Sequence, residues 1–340
     1  ERFLPSISNN YDFQDLLSEL LGELNGSHTG ARYYPDNTYL KDASLGLFYD
    51  DTYEGDGLKV KEIIAKGPLT LKKNDVKPGC ILEKIDGTTI NKDMDYHPLL
   101  EGKADKKVIL SFYNPQGGKR FEVTVKAIGT GDESGLLYRR WVERNRALVE
   151  KLSNGRLGYI HIKGMDSESF RVLYSELLGR YRNREAVIID TRHNGGGWLH
   201  DDVITLLSGK EYQRFMPRGQ YIGSDPYNKW TKPSCMLVCE DNYSNAHGTP
   251  WLYKELKVGK LVGAPVPGTM TAVWWETLID PTMIFGIPQV GCMDNRGEYL
   301  ENHELEPDVL VYDDPADFQK GKDAQLEAAV QEMMKEIAKK

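Results

Sequence analysis

The sequence predicts a mixed α/β protein whose larger part is a crossover-connected sheet, with a β-rich module inserted and a short helical segment ahead of it. Three observations predict this. From about residue 136 onward, apolar runs of strand length alternate with stretches of helical periodicity. Residues 41–128 instead string together short half-apolar runs bounded by turn residues. Near the start, Phe13, Leu16, Leu17, Leu20, Leu21 and Leu24 recur at helical spacing. The expected organisation is a helical segment over 1–40, a β module over 41–128 and an α/β domain over 129–340, and 340 residues suffice for all three.

The first helix is expected over residues 10–25, with Asp12 as its N-cap and Asn25-Gly26 as its stop; Ser27-His28-Thr29-Gly30 follow at once. In the β module, strands are expected at 44–49, 59–64 and 81–85, the last turning at Asp86-Gly87. Residues 107–113 and 120–125 should pair as a hairpin across Asn114-Pro115-Gln116-Gly117-Gly118. The polar run 129–135 reads as a linker. Beyond it, strands are expected at 157–162, 186–190, 236–238 and 260–263, and helices at 167–181, from about Leu199, at 249–256 with Pro250 in the first turn, and at 323–338. Strands separated by helices imply crossovers and a largely parallel sheet.

Composition narrows the function. Hydrophobic residues make up 40% and charged residues 28%, ordinary for a globular chain, and a net charge of −8 argues against nucleic-acid binding. No window has the apolar length needed to span a bilayer. Glu1-Arg2-Phe3-Leu4-Pro5 show neither Met nor a signal-peptide pattern, so the expectation is a chain cut from a longer precursor, its compartment left open. Of Cys80, Cys235, Cys239 and Cys292, the pair Cys235 and Cys239 suggests a metal or redox role. An even separation on one strand favours simple packing on a shared face. No His/Cys/Asp cluster has zinc-site spacing, so neither metal nor cofactor is expected.

Open α/β sheets place ligands beyond the carboxyl ends of their strands. One such end is Ile189-Asp190-Thr191-Arg192-His193-Asn194-Gly195-Gly196-Gly197, whose glycines free backbone N–H groups to face an anion; a plain tight turn explains a glycine run equally well. The other is Cys239-Glu240-Asp241-Asn242-Tyr243-Ser244-Asn245-Ala246-His247-Gly248. Ser244, between a strand and a helix, is placed like a nucleophile, although loop serines commonly act as N-caps and no Gly-x-Ser-x-Gly elbow is present.

Together with Gly263-Ala264-Pro265-Val266-Pro267-Gly268-Thr269, these segments resemble the tail-specific (carboxy-terminal processing) serine peptidases, whose catalytic sheet is of the ClpP-crotonase-like type. The resemblance extends to the β module. Leu45-Gly46-Leu47-Phe48 resembles the peptide-binding loop of a PDZ domain, and Val76-Lys77-Pro78-Gly79-Cys80-Ile81-Leu82-Glu83-Lys84-Ile85-Asp86-Gly87 resembles the PDZ consensus. The lysine base of the tail-specific branch is missing, because Thr269 stands in its place. The chain instead resembles the tricorn-like branch, whose Glu-Leu-Asn-x-Ser-His is matched by Glu23-Leu24-Asn25-Gly26-Ser27-His28 and whose late Glu-Asn is matched by Glu301-Asn302.

The resemblance implies a serine peptidase with Ser244 as nucleophile and His28 as general base, Ser27 and Glu301 polarising the imidazole. The oxyanion donors are expected to be the N–H groups of Asn245 and Gly196, with Gly197 a second choice in the glycine turn. His247, His193 and His200 rank below His28: the first is read as structural, the other two as cleft-lining. His97, His161 and His303 are read as surface or packing residues, and Trp274-Trp275 as either cleft wall or core. The implied partners are peptide or unfolded-protein substrates, with homo-oligomers compatible. The alternative is a catalytically inactive, PDZ-containing peptide-binding protein on a peptidase scaffold.

Overall fold

The computed structural model describes residues 2–35, 41–71 and 73–339. The chain divides into two compact units: Glu1–Asp36 with Arg144–Lys340, and Asn37–Glu143. The first 36 residues thus share a unit with the α/β region, while the expected boundary at residue 40 lies outside the described residues.

The larger unit is built on five parallel strands in the spatial order Leu157–His161, Ala186–Asp190, Ser234–Val238, Lys260–Gly263 and Val309–Leu310. The first three are buried along their whole length, as parallel strands covered on both faces must be. Side chains alternate between faces. Ile160, Val187, Ile189, Met236, Val238 and Leu261 pack into one core with residues of helices Ser167–Ser175, His200–Leu207 and Asn245–Glu255. Cys235, pointing the other way, lies under helix Ala324–Ile337, which buries Leu326, Ala329, Val330 and Met333. Each Val, Leu, Ile or Met among these side chains taken from water contributes about 1.5–3 kcal/mol.

Local chemistry sets the helix bounds. Asn9, not Asp12, caps the first helix (Asn10–Gly22): its side chain accepts from the N–H groups of Tyr11 and Asp12 at 2.8 and 3.0 Å. Asp12 sits in the first turn instead, where its charge favours the helix N-terminus and it accepts from Ser8 N–H at 2.8 Å. The helix expected over 167–181 is α-helical only to Ser175 and then widens into a π-turn over Glu176–Arg180. Pro250 lies inside helix Asn245–Glu255, not at its start, and has no N–H for the carbonyl of Ala246. Asn242 Nδ2 supplies that bond at 3.1 Å.

A second sheet of this unit was not legible in the sequence. Gly30–Tyr33 pairs antiparallel with Met283–Gly291, which pairs with Thr271–Thr277. Helix Asn10–Gly22 binds the first of these strands, since Ser18 Oγ accepts from Ala31 N–H at 3.0 Å and Gln14 Oε1 from Tyr33 N–H at 2.8 Å. Residues near the chain start are thereby fixed beside residues 271–291.

In the smaller unit the strand order is Leu47–Tyr49, Leu58–Ile63, Ile81–Ile85, Lys107–Asn114, Lys119–Lys126. The expected hairpin forms with Lys107 opposite Lys126 and Asn114 opposite Lys119. Asp86 and Gly87 make a turn with φ of 47° and 83°, the left-handed pair that an Asp-Gly hairpin turn needs. Leu82, Val108, Leu110 and Phe112 are fully buried in its core. The expected linker is wrong: Thr130–Leu152 is one helix, with Asp132 and Glu133 in its first turn, where the helix dipole favours acidic side chains despite two glycines.

Candidate active site

The glycine turn is held from below by a buried ionic network. Asp190 ends its strand with no exposure, and Arg192, 2% exposed, donates from Nη2 to Asp190 at 2.8 Å and to Asp323 at 2.9 Å. Arg192 Nη1 reaches the other Asp323 oxygen at 2.9 Å, and Tyr159 O–H donates to Asp190 at 2.8 Å. Burial alone would raise the Asp190 pKa, but the charge and hydrogen bonds of Arg192 hold it below the usual carboxylate range. Asn194 then shapes the turn: its amide donates to Ile162 C=O at 2.8 Å, its Oδ1 accepts from Gly196 N–H at 2.9 Å, and its carbonyl accepts from Tyr243 N–H at 3.1 Å. Gly196, at φ 97°, lies so close to the serine loop that a Cβ there would stand 2.6 Å from Ser244 Cβ and 2.7 Å from the Tyr243 carbonyl.

Ser244 follows strand Ser234–Val238 and precedes helix Asn245–Glu255, with φ 57° and ψ −123°. That conformation is strained for a residue with a side chain. The residue stands at the N-cap position, yet its hydroxyl makes no capping bond. The backbone is held from outside the helix, by Thr269 Oγ1 accepting from Ser244 N–H at 2.9 Å. Thr269 therefore fills the place of the missing lysine as a support for the serine. The Asn245 side chain is occupied as a cap for the neighbouring helix, accepting from Leu199 N–H at 2.8 Å and His200 N–H at 3.1 Å. Its backbone N–H makes no hydrogen bond among the described residues, and neither does that of Gly197. The Gly196 N–H expected as an oxyanion donor is engaged by Asn194.

His28 precedes strand Gly30–Tyr33 and has φ 62°. Its backbone N–H donates to the Tyr243 hydroxyl at 2.7 Å, and the two rings are tilted with centroids 4.8 Å apart, so the imidazole stands next to the residue preceding Ser244. Its Nδ1 lies 2.8 Å from Ser27 Oγ and 3.0 Å from Thr271 Oγ1. Ser27 donates from its hydroxyl to Glu301 Oε2 at 3.0 Å and from its N–H to Oε1 at 2.5 Å. The Glu301 loop is anchored in turn: Asn302 N–H donates to Gly268 C=O at 2.8 Å, and its side chain donates to Asn25 C=O at 2.9 Å. Burial lowers the His28 pKa, with Glu301 opposing and Arg32 adding to the effect, so the ring is held as a neutral acceptor. No hydrogen bond joins it to Ser244 Oγ among the described residues.

Comparison with known proteins bears on the two regions of the chain. Residues 156–311 match Peptidase family S41, and residues 51–130 match the Tricorn protease PDZ domain. Residues 156–311 thus carry a Peptidase S41 domain and residues 51–130 a tricorn-type PDZ domain, and the chain is similar to proteins named tricorn protease. It is 28% identical to a tricorn protease homolog of Saccharolobus solfataricus, over 99% of this chain and 32% of the relative. It is 27% identical to a putative tricorn-like protease C-terminal subunit of Sulfurisphaera tokodaii, over 100% of this chain and 40% of the relative. A crystal structure of the tricorn protease superposes with a TM-score of 0.84 at 23% identity, covering 99% of this chain and 33% of that one. The chain thus spans about three tenths to two fifths of the length of the curated relatives it matches.

Several S41-type expectations can be placed on this geometry. Ser27, His28 and Glu301 come together as one hydrogen-bonded chain, and Ser244 and Gly196 abut. Thr271 and the Tyr243 side chain were missed, and Thr269 was read only as standing in the lysine's place; their contacts with His28 and Ser244 come from the fold. Trp274 is 62% exposed, which rules out the core reading for it, while Trp275 stacks under Arg32 at 4.0 Å. His247 is 1% exposed, neither ring nitrogen has a hydrogen-bond partner among the described residues, and burial pushes its pKa down to about 4. His200 Nδ1 pairs with the Asn245 amide at 2.7 Å, and His161 is buried against Arg192 C=O at 2.9 Å. In the PDZ-like unit, Leu45 and Leu47 are buried and Gly46 has φ 66°; the Gly46 N–H donates to Ser44 Oγ at 2.9 Å. Strand Leu47–Tyr49 is the end strand of its sheet.

Proposed function

We propose that this chain is the hydrolytic part of a serine peptidase in which Ser244 attacks the scissile carbonyl and His28 is the general base. The observation that carries the reading is Ser244 itself: a strained residue between strand and helix, at an N-cap position, whose hydroxyl caps nothing. His28 takes the Ser244 proton as the carbonyl is attacked and returns it to the leaving amine. Ser27 receives the Nδ1 side of the ring and passes its own hydroxyl proton toward Glu301, so the imidazolium formed during attack faces a carboxylate through one hydroxyl. Thr271 completes the cradle. Since Ser244 and the imidazole are not bonded here, the pair closes when substrate fills the site. The Asn245 N–H and a glycine-turn N–H serve the oxyanion, with Gly197 preferred over Gly196 because the Gly196 N–H is held by Asn194.

Substrates are peptides or unfolded segments. The segment Leu45-Gly46-Leu47-Phe48 presents them as an added strand along the edge strand Leu47–Tyr49. With Leu45 and Leu47 turned into the core, the backbone is what this segment offers a peptide. The test is labelling by a fluorophosphonate probe together with hydrolysis of fluorogenic peptides. Wild type should label and hydrolyse, Ser244→Ala should do neither, and His28→Ala should lose hydrolysis by at least about 10³-fold. A wild-type chain that does not label but binds peptides would be a binding protein on this scaffold; undiminished hydrolysis in Ser244→Ala would overturn the nucleophile.

A further inference from the structure

Sequence spacing concealed one cluster that the proposed catalysis does not use. His193, Cys239 and Asp241 bring an imidazole nitrogen, a thiol sulfur and a carboxylate oxygen within 4.8 Å of one another. We propose that these three side chains form a binding site for a thiophilic divalent transition ion of the zinc class.

The distances suit such an ion. His193 Nδ1 lies 2.8 Å from Asp241 Oδ2 and 3.9 Å from Cys239 Sγ. A tetrahedral zinc ion takes nitrogen and oxygen at about 2.0–2.2 Å and sulfur at about 2.3 Å, which sets ligands about 3.3–3.7 Å apart. The first pair opens by about half an ångström and the second closes by a few tenths, shifts within reach of side-chain rotation at His193 and Asp241, whose side chains are 58% and 69% exposed. Their exposure also leaves room for water as the fourth ligand. Cys239 is 4% exposed, and its sulfur already accepts the His193 backbone N–H at 3.3 Å, a bond that supports a metal-bound thiolate. On binding, the thiol gives its proton to solvent. One sulfur, one imidazole and one carboxylate select zinc, cobalt or cadmium over magnesium or calcium, which want oxygen ligands.

The site ties together two loops. His193 follows strand Ala186–Asp190 and Cys239 follows strand Ser234–Val238, adjacent and parallel with Asp190 opposite Leu237. Gly196 lies three residues beyond His193, and Ser244 three beyond Asp241. A bound ion therefore clips the glycine turn to the serine loop.

The experiment titrates metal-stripped chain with cobalt(II). Wild type should bind one equivalent, with the visible bands of a tetrahedral site and a thiolate-to-cobalt charge-transfer band, both abolished by zinc, and its melting temperature should rise with zinc. Cys239→Ser should lose the charge-transfer band, and Asp241→Asn and His193→Gln should each weaken binding at least tenfold. Cys292→Ser should bind as wild type does. Circular dichroism checks that each variant folds, and Asp241→Asn, at an exposed position, carries the test should Cys239→Ser misfold. Absence of a cobalt spectrum in wild type, or full binding in Asp241→Asn, would overturn the site. The spectrum needs no peptidase activity, so its failure and that of the proposed hydrolysis are read separately.

Discussion

Replacing Glu301 by Gln tests the proposed relay most directly, because it removes a charge while nearly keeping a shape. Glu301 touches His28 only through Ser27, by steps of 2.8 Å and 3.0 Å, so its charge lies within about 6 Å of the imidazole. At that separation the attraction for an imidazolium is about 0.7 kcal/mol in a water-like medium and about 2.8 kcal/mol at an effective dielectric near 20. These limits correspond to about half a pH unit and about two, and a half-buried ring falls between them, near one. A nearby negative charge favours the protonated ring, so its loss lowers the His28 pKa further below its burial-depressed position. The acid limb of kcat/KM, which reports the base in the free enzyme, should therefore move to lower pH by about one unit in Glu301→Gln. The plateau should fall about tenfold, because the imidazolium formed during attack loses the same stabilisation. The assay is kcat/KM for a fluorogenic peptide across pH in both proteins. An acid limb that stays in place or moves upward would refute the relay, whatever happened to the plateau.

Three further outcomes follow from the same geometry. Gly196→Ala places a Cβ 2.6 Å from Ser244 Cβ at φ 97°, so the serine loop must move, and hydrolysis should fall by about 10²-fold or more in peptide assays. Arg192→Met leaves Asp190 with no exposure and no cation, and should cost about 3–5 kcal/mol in urea unfolding. His247, with its pKa pushed from the ordinary 6.5 to about 4, stays neutral in the fold but gains a proton on unfolding between those values. Stability should thus be full above pH 6.5 and decline by about 3 kcal/mol toward pH 4, and His247→Met should flatten that decline in denaturant titrations.

The parallel sheet was legible because its strands are unbroken apolar runs, and Ala186–Asp190 and Lys260–Gly263 were expected at their observed bounds. The antiparallel sheet was not. Its strand Thr271–Thr277 is half exposed and Met283–Gly291 contains Gly286 and Pro288, so neither shows a clean alternation. The linker reading of 129–135 failed because glycines mark loops on average, whereas here the acidic first turn prevails. Sequence motifs singled out Ser27, His28 and Glu301, which the fold brings together, but Thr271, which contacts two of them, lies in the very sheet that was missed. The same holds for His193 with Cys239: no short-range spacing links residues 46 apart, and only the parallel register brings their strand ends together.

That missing sheet bears on function as well as on prediction. The proposed nucleophile and oxyanion donors are fixed by buried parallel strands and by the Arg192 network, among the most enclosed groups of the unit. The proposed base reaches them by a different route. His28 is held by strand Gly30–Tyr33 along a single neighbour, by Ser18 and Gln14 of an amphipathic helix that keeps only Leu21 buried, and by hydrogen bonds to Tyr243, Thr271 and, through Ser27, Glu301. Few buried contacts and an edge pairing place that segment at the low end of local stability. The nucleophile is thus preorganised by the core, whereas the base depends on docking of a lightly held segment. Weakening that docking alone should lower activity long before global unfolding is seen.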